Sequence, residues 1–233
     1  MLGVLGGMGP MAAVDFMAKV VRNTPASRDQ DHVRMVVCSA ADIPDRTAAI
    51  LGEGADPLPA MRDALRRLEA AGATRIAIPC NTAHHWHAAL QAGTPLPILH
   101  IVDAVADTLA GPPGAAIGVP ATSGTVRAGI YQSRLGLRGY ACRIPDDAAQ
   151  AEVMRAIRLV KAGRLPEATA ILRREAEALA AAGCREVVMA CTEIPVALAA
   201  ADGPVRAGLV DATEALARSC VAACRPEAAP VAA

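Results

Sequence analysis

Ile76-Ala77-Ile78-Pro79-Cys80-Asn81-Thr82 and Val187-Val188-Met189-Ala190-Cys191-Thr192-Glu193 are two versions of one signal: an apolar run that stops at a cysteine followed by hydrogen-bonding residues. A segment rich in alanine and ending in glycine precedes each, Glu69-Ala70-Ala71-Gly72 in one case and Ala180-Ala181-Ala182-Gly183 in the other. Each glycine stands eight positions before its cysteine. Glycine just past the end of a helix is ordinary helix punctuation, so each unit reads as a helix, a turn and a short buried strand. The echo indicates an internal duplication with one cysteine at each equivalent strand end.

The likeness extends outward from the cysteines. Gly3 to Gly9 has the spacing of Gly118 to Gly124, and Ile101-Val102-Asp103-Ala104 resembles Leu209-Val210-Asp211-Ala212. Apolar strands are expected at Leu2–Leu5, Val33–Cys38, the run ending at Cys80, Ile98–Val102, Ala115–Val119, Tyr140–Ile144, the run ending at Cys191, and Gly208–Asp211. Helices are expected at about 11–23, 56–71, 126–135, 148–161 and 166–182, behind the first cysteine, and from the last strand to about Cys224, with a polar loop over 39–47. Alternation of helices with Val/Ile-rich strands predicts parallel sheets covered on both faces. The fold class is therefore α/β: two pseudo-symmetric subdomains, each a mostly parallel sheet flanked by helices, with the active site in the cleft between them. The N-terminal subdomain is expected over 1–100, joined by 208–225, and the C-terminal one over 101–207. Residues 226–233, rich in Pro and Ala, read as a flexible tail. Ligands of open parallel sheets bind beyond the carboxyl ends of the strands, where both cysteines sit.

Bulk composition removes several classes of function. Hydrophobic residues make up 53% of the 233, yet Phe, Trp and Tyr together only 2%, so the core must be aliphatic. Net charge is zero, which leaves no basic field for nucleic acid or an anionic membrane, and so few aromatics give no platform for stacked bases. No uncharged apolar run reaches the roughly 18 residues that a membrane span needs. The stretch Met1 to Pro10 has no basic leader and no cleavage site, and reads as a buried strand and its turn. Seven cysteines, an odd number without a C-x-x-C pair, imply free thiols in a reducing cytoplasm. Gly6-Gly7-Met8-Gly9 is not a dinucleotide fingerprint, and Asp29 precedes the second strand instead of ending it.

A cysteine at a strand end that opens a helix meets free N–H groups and partial positive charge, which favour the thiolate. Ionising an ordinary thiol at pH 7 needs about 2 kcal/mol, and a helix terminus supplies roughly 0.3–2 kcal/mol of it. Neighbouring donors and a cationic substrate must add the remainder. A lone free cysteine is most often a small core hydrophobe; two at matched positions beside polar residues argue for chemistry. Two thiols facing one molecule suit proton transfer at a stereocentre, since one removes a proton from one face, the other returns one to the opposite face, and reversal swaps the roles. His84, His85 and His87 raise the question of a metal, but no further ligand is fixed near them, and no metal is expected. Cys220 and Cys224, at i and i+4, read as one buried face of the last helix.

Gly6-Gly7-Met8-Gly9-Pro10, Ile43-Pro44-Asp45-Arg46-Thr47, Pro79-Cys80-Asn81-Thr82-Ala83-His84, Ala121-Thr122-Ser123-Gly124-Thr125 and Cys191-Thr192-Glu193-Ile194-Pro195 resemble, in order and spacing, the motifs of the aspartate racemase family. That family belongs to the aspartate/glutamate racemase superfamily of amino-acid racemases that work without a cofactor. The resemblance implies Cys80 and Cys191 as the catalytic acid/base pair, with neither pyridoxal phosphate nor metal. It implies Arg46 as the grip on a distal carboxylate, for which a planar guanidinium is suited, and Lys161 as a cation near the same place. Met8, Asn81, Thr82, Thr122, Ser123 and Thr192 fall where the family holds the α-carboxylate and amine. It also implies a homodimer. Gly6-Gly7-Met8 and Glu193 stand where glutamate racemase proper has Asp-Ser-Gly and His, so aspartate or broad specificity is expected. Two alternatives remain: a lyase or isomerase on the same scaffold (a malonate-type decarboxylase or maleate isomerase), which the second cysteine weakens, or a non-catalytic small-ligand module. An ionised Glu193 close to Cys191 is expected to raise that thiol's pKa and leave Cys80 as the resting base.

Overall fold

The structure is a computed structural model and describes residues 1–199 and 208–225; the expected tail, 226–233, lies outside the described residues. Eight strands form two four-stranded sheets. The first contains β1 (Leu2–Gly6), β2 (Met35–Ser39), β3 (Arg75–Ala77) and β4 (Ile98–Leu99) in the order β2-β1-β3-β4. The second contains β5 (Ala116–Gly118), β6 (Ala141–Arg143), β7 (Glu186–Met189) and β8 (Leu209–Asp211) in the order β6-β5-β7-β8. Every pairing is parallel. The two sheets thus repeat one topology, with β1 matching β5 and β3 matching β7.

The helices on the first half are α1 (Pro10–Asn23), α2 (Arg46–Leu51), α3 (Leu58–Ala70), α4 (His87–Gln91) and α5 (Ile101–Ala106). Those that follow are α6 (Ser123–Arg127), α7 (Ile130–Leu137), α8 (Asp147–Lys161), α9 (Leu165–Ala181), α10 (Glu193–Leu198) and α11 (Ala212–Cys224). One aliphatic core joins the halves: Leu2 and Val4 of β1, Phe16 of α1, Val105 of α5, Ile117 of β5, Val188 of β7 and Leu216 of α11 belong to a single buried cluster. Separate clusters cover the outer faces, where α3 packs on the first sheet and α8, α9 and α10 on the second. β8 extends the second sheet, while α11 packs against α1 and α5. Lys19 reinforces that seam: buried in α1, its ammonium lies 2.5 Å from Asp15 and 2.6 Å from Asp211, and donates to the Thr213 hydroxyl. Among the described residues no helix is long and apolar enough to cross a membrane.

Local chemistry explains where the structure departs from the expected elements. Ile98–Val102 is not one strand: His100 Nδ1 accepts the Val102 N–H and caps α5, so the strand ends at Leu99. An apolar run this short carries no periodicity that separates strand from helix. Asp103 and Asp211 therefore do not share a place. Asp211 caps α11, whereas Asp103 lies in the first turn of α5 and pairs with Arg134. The helix expected over 126–135 is two, because Gly129 at φ +63° breaks the path between α6 and α7. The polar loop over 39–47 ends in a helix, α2, capped by Asp45 through the Ala48 N–H. Behind Cys80 comes only a 3-10 turn, Thr82–Trp86, before the short α4.

Candidate active site

β3 and β7 end at the same edge of their sheets, and the chain runs from each to a buried cysteine. Cys80 and Cys191 are each 5% exposed and line one cleft between the halves. Met8, Arg46, Asn81 and Thr82 line it from the first half; Thr122, Lys161 and Thr192 line it from the second. Ser123 is the expected residue that stands apart. It opens α6, its N–H points to Met154 Sδ, and its hydroxyl accepts from Gln150 at 3.3 Å. Asp45, Thr47 and Glu193 join the lining. The α2 segment packs on α6 at the cleft because Gly124 lets it: a Cβ there would lie 2.9 Å from Thr47 Cα.

The two thiols have unequal surroundings. Burial pushes both upward from the ordinary thiol range, which overrides the help expected from helix termini, since the elements behind them are a five-residue 3-10 turn and the six-residue α10. For Cys80 the burial is opposed first by the Arg46 guanidinium, then by the Ala83 N–H, and by Lys161. For Cys191 the carboxylate of Glu193 adds to the burial, by its charge and by accepting the thiol proton at 3.0 Å, so its pKa rises well above the usual value. The Thr192 hydroxyl donates to the same Oε2 at 3.2 Å. Cys80 is thus the easier thiol to ionise.

Polar side chains from the two halves interlock beside the cleft. The hydroxyls of Thr82, Thr122 and Thr125 form a triangle with sides of 2.9, 3.0 and 2.9 Å, and Thr122 also caps α6 through the Thr125 N–H. Tyr131 donates to Asn81 Oδ1 at 2.6 Å. Arg46 is held by Nη1, which donates to the Ile43 and Pro44 carbonyls at 3.0 Å, while its Nε is buried without a partner. Lys161 stands exposed at the last turn of α8 and faces the cleft.

Behind Cys80, His84 is buried and neutral. Its Nε2 accepts the Ile101 N–H at 3.1 Å, so Nδ1 carries the hydrogen and donates it to the Cys80 carbonyl at 2.9 Å. Burial lowers its pKa to about 4. His87 Nε2 donates to the Ile98 carbonyl, and His100 stacks edge-on to His84 at 4.6 Å. The imidazoles brace the loop that carries the first cysteine. Thr125, Tyr131 and His84 are hydrogen-bond partners of the residues at the cleft that motif reading missed or left unassigned. Thr125 and His84 lie inside quoted motifs, but Tyr131 carries no local signal, because only the fold brings it to residue 81.

Comparison with known proteins gives a consistent picture. A family model described as Asp/Glu/hydantoin racemase matches residues 5–220. The chain is similar to the broad specificity amino-acid racemase of Bacillus subtilis (strain 168), 33% identical over 141 residues that make up 58% of this chain and 60% of that relative. It is also similar to the glutamate racemase of Deinococcus radiodurans, 32% identical over 199 residues, or 82% of this chain and 62% of the relative. Both matches therefore span less than two thirds of the curated relative's own length. Among solved structures, Picrophilus torridus aspartate racemase superposes with a TM-score of 0.83 at 30% identity, covering 96% of this chain and 93% of that one. An aspartate racemase homologue from Pyrococcus horikoshii OT3 shares the fold, with a TM-score of 0.74 at 21% identity.

Proposed function

The chain belongs to the Asp/Glu/hydantoin racemase family, and from that premise we propose that it is an amino-acid racemase working without pyridoxal phosphate or metal, on aspartate or with broad specificity. In this reading Cys80 and Cys191 invert Cα by a two-base exchange. The observation that carries it is the pair of buried thiols at equivalent strand ends, lining one cleft with unequal electrostatic partners. Cys80, beside Arg46, is the easier thiol to ionise and, once the cationic amine of the substrate adds to that charge, acts as the thiolate that removes the Cα proton. Cys191, held as a thiol by Glu193, delivers one to the opposite face. Turnover from the other enantiomer runs the same steps in reverse. The negative charge left on Cα spreads into the α-carboxylate, where the donors of Asn81 and the neighbouring threonines stabilise it. Arg46, with its Nε unpartnered, and Lys161 supply positive charge for a second carboxylate on the substrate.

The similarity to an aspartate racemase structure and to a broad specificity racemase supports this substrate class. The seven free thiols support a reducing cytoplasm. The assembly proposed is a homodimer, which sedimentation of the purified protein tests.

Incubating the protein with single L-amino acids in D2O, without added cofactor, is expected to give α-deuteration and the D-isomer, with aspartate among the substrates. Absence of both for aspartate, glutamate and a broad panel overturns the racemase reading. Replacing Cys80 or Cys191 singly is expected to abolish racemisation, and a variant that keeps full activity removes that cysteine from the mechanism.

A further inference from the structure

Tyr131 sits at the start of α7 in the second half, fully buried within the core the two halves share. Its hydroxyl crosses to the first half and donates to Asn81 Oδ1 at 2.6 Å. Asn81 is 2% exposed, follows Cys80 directly and lines the cleft. Its Nδ2 is buried and has no hydrogen-bond partner.

These facts fix the amide. The 2.6 Å separation suits O–H···O and is short for N–H···O, so Oδ1 faces the phenol and accepts its proton, and Nδ2 points the other way. A buried donor without a partner is costly in a folded protein, and here it stands in a cleft beside a buried thiol. We propose that Tyr131 is a positioning residue, which turns the Asn81 amide so that Nδ2 donates to a carboxylate oxygen of the substrate. This rests on the racemase reading for its chemistry. Once Cα loses its proton, charge moves onto the α-carboxylate, and a fixed donor there favours the transition state over the bound ground state.

The test is Tyr131→Phe, which deletes the hydroxyl and keeps the ring in the core. It is expected to lower kcat by about tenfold or more, with KM changed far less. In an Asn81→Ala background the same change is expected to have no further effect, because Tyr131 acts through Asn81. A folded Tyr131→Phe protein with the kcat of the parent, or effects of the two changes that simply multiply, overturns the inference while leaving racemisation by the parent in place.

A second measurement covers a variant that fails to fold. The chain has two tyrosines, Tyr131 and Tyr140, so fluorotyrosine labelling of the unaltered sequence gives two fluorine resonances. Titration with succinate, a dicarboxylate that cannot racemise, is expected to shift the Tyr131 resonance and leave that of Tyr140. A Tyr131 resonance that does not move at saturating succinate overturns the proposal. Should the parent exchange no Cα proton from any amino acid, the racemase reading fails, and this titration still decides whether Tyr131 senses a carboxylate in the cleft.

Discussion

The Cys191 thiol donates to Glu193 Oε2 over 3.0 Å, so the second cysteine holds its proton against a carboxylate two residues away. Cys80 has the opposite arrangement, with the Arg46 guanidinium and the Ala83 N–H both favouring its thiolate. The duplicated fold thus gives two equivalent thiols, and Arg46 beside one and Glu193 bonded to the other make them unequal. Cys80 is expected to react before Cys191 with a small alkylating agent, read by mass spectrometry of the digested protein. Glu193→Gln removes the charge and is expected to raise Cys191 labelling by about tenfold for each pKa unit lost. Faster labelling of Cys191 in the unaltered protein contradicts the assignment.

Arg46 has a second consequence for the same pair. Its charge is the largest influence opposing the effect of burial on Cys80. Replacing it with Gln removes a cation that favours the thiolate, so the Cys80 pKa moves up. The ascending limb of the rate against pH is therefore expected to shift to higher pH, together with a raised KM for a dicarboxylic substrate. A profile that stays in place while KM rises restricts Arg46 to binding.

Much of this arrangement was legible in the sequence, because glycine turns and strand-end cysteines are local signals. The repeated helix-turn-strand units follow from Gly72 and Gly183, which close the helices, and the parallel sheets from the short Val/Ile runs that must be buried on both faces. What escaped is what depends on contacts between distant segments. His100 ends a strand because its ring caps a helix, and Gly129 splits one helix pattern into two. The thiol environment was read from helix termini, yet burial decides it, and burial is not a property of residues 80–82 alone. Thr125 and Tyr131 reach the cleft-lining Thr82 and Asn81 only through packing of α6 and α7 against the first half.

The seam between α1 and α11 offers a stability test away from the cleft. Lys19 is buried between Asp15 and Asp211, whose side chains are 27% and 19% exposed. Lys19→Met keeps the apolar stem but leaves two partly buried carboxylates facing each other without a cation. The expected loss is about 2–4 kcal/mol, since removing one partner of a buried ion pair strands the other. Urea unfolding with an unchanged slope would read this as a lower midpoint. A loss under about 0.5 kcal/mol shows the triad to be as weak as a surface pair.

His84 links stability to pH through the loop that carries Cys80. Folded, its pKa is about 4, lowered chiefly by burial, with His87 and Arg134 acting in the same direction and the Cys80 carbonyl opposing. Unfolded, it returns to 6.5. The unfolded chain therefore binds a proton more readily, so this contribution is fully present above pH 6.5 and is lost as pH falls toward 4. Integrated over that window it amounts to about 3 kcal/mol. His100, also buried and lowered, acts in the same sense. Protonation of His84 converts Nε2 from acceptor to donor and breaks its bond with the Ile101 N–H. Unfolding free energies measured between pH 7.5 and 4.5 are expected to fall steeply for the parent and less steeply for His84→Gln. Equal slopes would mean that another group governs acid sensitivity.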